Sequence, residues 1–354
     1  MDKTIPAAFN LAAQLGGKVT GTRRTRVQAS PQYAGGKFRN TVPTSAALDV
    51  STLPKAAVGA LTGGLARRTP HQPVPLVNAN AVDAQGLHVT WYGHSTVLVE
   101  IEGHRILLDP VWSERCSPSP LVGPKRLHQP PVALHELPAV DAVVISHDHY
   151  DHLDMATVQS LATLQPTMLF VVPLGVGAHL ERWDVPENRI VELDWHETTT
   201  VGDVELIATP ARHFSGRGFT RNETLWAGWV IKGPTRRVFY SGDTGYFPGF
   251  TEIGERHGPF DVTLVQIGAY LDAMTDIHMV PEDGVTTHLE VRGALMIPVH
   301  WATFALAPHA WAEPADRTWR EAKARDVKLA IPRPGERVDV DNPPEIAAWW
   351  QQIA

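Results

Sequence analysis

The nine residues SHDHYDHLD, positions 146 to 154, hold three histidines and three aspartates. They make a poor solvated surface, because an imidazole with a pKa of about 6.5 carries little charge at neutral pH. They make an equally poor core, because a buried aspartate needs a partner. A divalent metal suits both side chains. In the spacing His147-x-His149-x-Asp151-His152, four of six positions offer a neutral imidazole nitrogen or a carboxylate oxygen. Those are the ligands zinc accepts where thiolates are missing. One loop of this kind can give two ligands to each of two neighbouring ions, and it leaves both ions incomplete.

The missing ligands are expected at other strand ends. His213 follows VELIATP in TPARHFSG, Asp243 sits in YSGDTG after RRVFY, and His300 closes ALMIPVH. With them the set becomes five histidines and two aspartates, enough for two four- or five-coordinate ions if Asp243 lies between them. Taken alone, His213 or His300 reads as a hydrogen-bonded core histidine and Asp243 as a turn residue. The nine-residue cluster reverses that balance. Paired zinc ions supply hydroxide near neutral pH and offset charge building at the attacked centre and leaving oxygen. Iron or manganese would also accept this ligand set. No serine nucleophile is needed, and GHSTV lacks the last glycine of G-x-S-x-G.

Elements able to hold these residues follow from the hydrophobic pattern. LHVTWYGHSTVLVEI, HRILLDP, DAVVISH and MLFVVP read as strands, as do VELIATP, LWAGWVIKG, RRVFYSGD, DVTLVQIG and ALMIPVH. MATVQSLATL, PEDGVTTHLEV and PADRTWREAKARD read as helices, with Pro281 suited to a first helical turn. Two runs of strands, each followed by helices, predict two packed sheets with helices outside, an α+β arrangement. Residues 1–85, rich in Gly, Ala, Thr, Arg and Pro, read as an extended, partly ordered arm ahead of a domain spanning 86–354.

The order HxHxDH, then His, then Asp in a GDTG turn, then His resembles the metallo-β-lactamase superfamily. The resemblance implies an αββα sandwich with metals at the sheet edges. It gives Asp109 of LLDP the place of an aspartate behind the metals. Longer phrases are similar to one branch, that of the N-acylphosphatidylethanolamine-hydrolysing phospholipase D and its bacterial relatives. They include WYGHSTVLVEIEGHRILLDPVWSERCSP, RHFSGRGFTRNETLWAGWVI, YSGDTGYFPGFTEIGERHGPFDVTLVQIGAY and PVHWATF, and the likeness runs from about residue 30 to 312.

By that resemblance His147, His149 and His213 hold one zinc, Asp151, His152 and His300 the other, and Asp243 bridges. Asp151 also orients the attacking hydroxide and passes a proton to the leaving group. His278 of IHMVPEDG is placed near the substrate phosphate; its bland alternative is a loop histidine capping the helix at Pro281. The likeness breaks at GAYLDAMTDIHM, where those phospholipases carry Glu-Pro-Arg and a Trp/Phe-Met-Lys run. The change is expected to leave the metals untouched and to alter the wall that selects substrate.

These readings predict a dinuclear zinc phosphodiesterase acting on a lipid or other small phosphodiester, with a lactone or β-lactam hydrolase as the alternative. A metal-binding protein without turnover is disfavoured by the complete ligand set. A net charge of −7 argues against a nucleic-acid partner, a nuclease included. Cys116 is the one cysteine, so neither an internal disulfide nor a thiolate zinc cage can form. The expected setting is reduced and cytoplasmic, with membrane contact at most peripheral. The leading stretch IPAAFNLAAQL is too weakly amphipathic to predict more, and nothing in the sequence sets an oligomeric state. Trp226, Trp229 and Trp301 lie beside the ligand phrases and read as core rather than pocket. His94 approaches the metals from the first strand pair, and His288 lies on a helix face.

Overall fold

The computed structural model describes residues 10–44, 68–78, 85–271 and 274–354. Its strands are β1 (Tyr33–Ala34), β2 (Lys37–Phe38), β3 (Leu87–Gly93), β4 (Thr96–Ile101), β5 (His104–Leu108), β6 (Ala142–Val144), β7 (Leu169–Pro173) and β8 (Ile190–Leu193). There follow β9 (Thr198–Val201), β10 (Val204–Thr209), β11 (Gly228–Lys232), β12 (Arg237–Tyr240), β13 (Phe260–Gln266), β14 (Gly293–Val299) and β15 (Arg337–Asp339). A seven-stranded sheet has the order β15-β3-β4-β5-β6-β7-β8, and a six-stranded sheet the order β14-β13-β12-β11-β10-β9. LHVTWYGHSTVLVEI is therefore a hairpin, turning between Gly93 and Thr96. The sequence reading did not single out β8, β9, β15 or the helix Gly249–His257.

Why DAVVIS and MLFVVP carry unbroken apolar runs is clear from the packing. Successive side chains of a strand point to opposite faces. Ala142 and Val144 face the inter-sheet core with Val171, while Val143 and Ile145 turn outward with Phe170 and Val172. The outward set is covered by Val158 and Leu161 of the helix Met155–Leu164 and by Leu180 of the helix Gly177–Arg182. Strands covered on both faces need apolar residues at every position. Each such buried Val, Leu or Phe contributes about 1.5–3 kcal/mol. The inter-sheet core joins Trp91, Val97 and Val99 to Leu206, Trp229 and Ile231.

Strand direction gathers the chemistry. β5 and β6 run parallel, so Asp109 and the 146–154 loop leave the sheet at the same end. In the second sheet β12, β13 and β14 are parallel. β10 is antiparallel to β11 and β11 antiparallel to β12, so β10 points the same way as β12. His213, Asp243, His278 and His300 thus all follow strands that end at one edge. Of the anticipated arm, residues 1–9, 45–67 and 79–84 lie outside the described residues. Its described parts bond onto the domain: Arg23 to Glu181 and Glu192, Arg26 to Glu197, and Arg68 to Ala305 O.

His288 lies in the helix Pro281–Glu290, fully buried, 2.7 Å from Thr263 Oγ1. Burial pushes its pKa down to about 4. The folded state keeps it neutral, while the unfolded chain takes up a proton below pH about 6.5. Its contribution is complete above that pH and is lost as pH falls toward 4, about 3 kcal/mol in all. Urea unfolding of His288→Asn should accordingly depend less on pH between 7 and 4.5 than that of the unaltered protein. Equal pH slopes would contradict the assignment.

Candidate metal centre

Side chains from both sheets converge where the strands end. Donor atoms of four overlapping groups lie within 4.8 Å of one another: His147 with His149 and His213; His94 with Asp151, His152 and His300; His147 with His152 and Asp243; and His213 with Asp243 and His278. Every anticipated site residue is therefore in one cluster. Asp243 Oδ2 is its middle atom. It lies 3.2 Å from His152 Nε2 and 3.0 Å from His300 Nε2 on one side, and 3.9 Å from both His147 Nε2 and His213 Nε2 on the other. His149 Nδ1 sits 2.8 Å from His147 Nε2 and 3.3 Å from His213 Nε2, which closes the first group. Asp151 Oδ2 is 3.3 Å from His300 Nε2 and 3.4 Å from His152 Nε2, which closes the second.

The residues behind these side chains decide which ring nitrogen faces the centre. His213 Nδ1 donates to the Ile277 carbonyl at 2.9 Å and His152 Nδ1 to Asp109 Oδ2 at 2.6 Å. Ser146 Oγ donates to Asp109, so it accepts from His147 Nδ1 at 2.9 Å. In all three rings the Nδ1 proton is thereby fixed and the Nε2 lone pair is left for a cation. Asp109, fully buried, also takes the Tyr240 hydroxyl and the Ser146 N–H. The other aspartates of the nine-residue stretch tie the loop down. Asp148 accepts from Gly216 N and Thr224 Oγ1 and faces His179, and Asp154 accepts from Ser113 and Thr157. Gly242 at φ 56 is required in the turn carrying Asp243, since a Cβ there would meet Ala227 O at 2.7 Å and Ser146 Cβ at 2.9 Å.

Whether this donor set suits metal can be judged from its own atoms. His152 Nε2, His300 Nε2, Asp243 Oδ1 and His278 Nδ1 are all buried without a hydrogen-bond partner. One such atom costs about 1–3 kcal/mol, and four meeting at one place fit a cation. Burial holds His147 and His213 well below the ordinary imidazole pKa, so both are neutral donors. Burial also opposes charge on His152 and His300, but carboxylates prevail. Asp243, Asp151 and Asp109 drive His152 well up, and Asp243 and Asp151 carry His300 up to about 9. Burial likewise opposes charge on Asp243, yet His152 and His300 hold it well below the usual carboxylate range. Cation binding would displace those imidazole protons. The residues fit a pair of metal ions.

His149, Asp151 and His278 are the partly exposed members, so the centre opens on their side. His278 Nδ1 lies 3.8 Å from Asp243 Oδ2, and its ring centroid is 5.2 Å from that of His213. His94, given only an approach by the sequence, turns out to hold Asp151 through Nε2 at 2.9 Å. Its signal is conformational: His94, Asp109 and His300 all adopt positive φ, 52°, 37° and 64°, which non-glycine residues rarely do. Sequence reasoning also passed over Asp148, His179, Arg217 and Tyr240, whose types and spacing are unremarkable. The divergent GAYLDAMTDIHM segment reaches the cluster through a main-chain atom, the Ile277 carbonyl that accepts from His213 Nδ1. Asp272 and Ala273 of that segment lie outside the described residues. Trp226 and Trp229 are core, and Trp301 stacks on Trp91 at 5.5 Å.

Two sheets face to face, helices outside and a His/Asp cluster at the shared edge define the metallo-β-lactamase fold. A metallo hydrolase from the archaeon Ignicoccus hospitalis has the same fold, with a TM-score of 0.55 at 22% identity over 71% of this chain and 97% of that one. Residues 104–301 match the Beta-lactamase superfamily domain, and the chain belongs to that superfamily. It is 51% identical to an uncharacterised protein of Mycobacterium tuberculosis over 98% of its own length and 94% of the relative's. It is 37% identical to the N-acyl-phosphatidylethanolamine-hydrolyzing phospholipase D 1 of Caenorhabditis elegans, covering 72% of this chain and 75% of the other. The chain is a metal-dependent hydrolase of this superfamily. Among the described residues no helix is long and apolar enough to cross a membrane.

Proposed function

We propose that the chain is a dinuclear zinc phosphodiesterase acting as a phospholipase D on N-acylphosphatidylethanolamine or a related lipid. His147, His149 and His213 would hold one ion, Asp151, His152 and His300 the other, with Asp243 between. The observation that carries this reading is the position of Asp243 Oδ2 between two histidine groups, on a face edged by His278. Likeness to the nematode phospholipase supports the substrate class. When bound, the ions supply hydroxide near neutral pH and positive charge for the phosphoryl oxygens.

This chain's own residues do the rest. His278, on the open side, donates a hydrogen bond to a phosphoryl oxygen. Asp151, steadied by His94, would take the proton that water releases as it becomes the attacking hydroxide, orient that hydroxide, and pass the proton to the leaving alcohol oxygen as the phosphorus–oxygen bond breaks. The partner is a lipid aggregate touched from its surface. Phe219 is fully exposed two residues beyond Arg217, whose guanidinium bonds to Asp148 O and Leu153 O of the metal loop.

Zinc-loaded protein incubated with N-acylphosphatidylethanolamine micelles should release N-acylethanolamine and phosphatidic acid, detected by mass spectrometry. No product from a chain that holds two metals would overturn the phospholipid reading and direct the search to smaller phosphodiesters and lactones. His278→Ala is expected to lower kcat/KM for a phosphodiester about 10²-fold, the scale of one lost charge-stabilising donor. Hydrolysis of a lactone by the same variant should fall far less. Equal losses on both substrates would remove the reason for placing phosphate at His278.

A further inference from the structure

We propose that the N-terminal arm is part of the metal centre, with Asn40 as the positioning residue for His213. The inference rests on the reading of His213 as a metal-holding residue. His213 lies beyond the end of β10 at Thr209, so no neighbouring strand pairs its backbone. It is nevertheless fully buried, and buried backbone groups need partners. Asn40 supplies both. Its Nδ2 donates to His213 O at 2.8 Å, and its Oδ1 accepts from His213 N at 3.0 Å. The same Oδ1 accepts from Trp226 Nε1 at 3.0 Å, which fixes the amide's orientation. One side chain thus imitates a strand partner for the residue whose ring faces the metals.

The arm is seated on either side of this contact. Before it, Phe38 is buried in the inter-sheet core and its N–H bonds to Asn222 O at 2.8 Å. After it, Pro43 O accepts from Arg212 Nη2 at 2.6 Å. Further upstream the arm reaches the other metal-bearing loop as well. Gln14 O accepts from Tyr150 Oη and Arg217 Nε, and Gly17 N donates to His179 Nδ1 at 3.0 Å. That approach needs glycine: a Cβ on Gly16, at φ 83, would fall 2.1 Å from His179 Nδ1, and one on Gly17 2.0 Å from Ala178 O. His179 in turn faces Asp148 within the His147–His152 motif. The arm therefore spans both loops that carry the first metal group, and Asn40 touches a residue of that group through both backbone atoms.

Zinc titration of metal-free protein against a chromogenic chelator tests this, with Asn40→Ala, Asn40→Asp and Arg23→Ala. The aspartate keeps an acceptor for His213 N but sets an oxygen against His213 O. Both Asn40 variants are expected to weaken one of the two zinc sites at least about tenfold, as loss of a ligand-orienting partner does. Their cobalt-substituted absorption spectra should shift as well. Arg23→Ala loosens the arm at Glu181 and Glu192 and should lower Tm while leaving both affinities intact. If the Asn40 variants lose only Tm, as Arg23→Ala does, Asn40 is merely structural and the proposal fails. If the unaltered chain takes up no zinc, the metal reading itself fails.

Discussion

Replacement of Asp243 by alanine is expected to lower kcat/KM at least about 10³-fold and to prevent the chain from holding a full pair of zinc ions. The magnitude follows from what one group does in several interactions at once. Its Oδ2 lies within 3.9 Å of five imidazole nitrogens, and its Oδ1 is buried without any other partner. Loss of a single stabilising group at a hydrolytic centre already costs about 10²–10³-fold. In the proposed dinuclear site the same change would also remove the anion between the two cations. It also leaves His152 and His300 without their main carboxylate, so both should titrate lower in the metal-free variant. Metal content by elemental analysis and turnover on the phosphodiester check the two halves separately. Retention of both ions with activity within about tenfold of the original would remove Asp243 from the centre.

Asp109→Ala should be the most damaging change to stability, costing about 3–5 kcal/mol, the cost of removing one partner of a buried charge pair. The carboxylate is completely buried and receives His152 Nδ1, the Tyr240 hydroxyl, and both N–H and Oγ–H of Ser146. Alanine would orphan all of them. Because Asp109 fixes His152 directly and His147 through Ser146, zinc affinity should fall about 10–100-fold in parallel. Asp109→Asn, which keeps one acceptor oxygen and the shape, should lose less of both. Denaturant unfolding of the metal-free protein separates the stability loss from the affinity loss. A variant as stable as the original, binding zinc equally well, would refute this account of Asp109.

The His/Asp cluster was legible because metal binding demands particular side chains at particular offsets. His147, His149 and Asp151 occupy alternate positions of a loop after an apolar strand, with His152 next in line, and no ordinary surface or core uses that pattern. His213, Asp243 and His300 were legible for a related reason, each standing at the end of a β-rich run. The strands themselves were read from apolar residues whose period the pleat dictates. Hence the two-sheet architecture could be expected from DAVVIS, MLFVVP and their counterparts. β9, TTTV, escaped notice because an edge strand half in solvent carries no apolar run.

Amino-acid order alone thus determined which side chains could form the cluster and the class of fold, since both depend on residue type and local spacing. Only the tertiary structure decided how the centre is aimed. His94 steadies Asp151 across 57 positions, Tyr240 reaches Asp109 across 131, and Asn40 meets His213 across 173. Serine, tyrosine and asparagine are common residues, and nothing in their neighbours' identities marks them out. Their work comes from strand direction: parallel pairing of β5 with β6 and of β12 with β13 and β14 delivers distant loops to one edge. A hydrogen bond is made where two atoms meet, and that meeting is a property of the packed sheets.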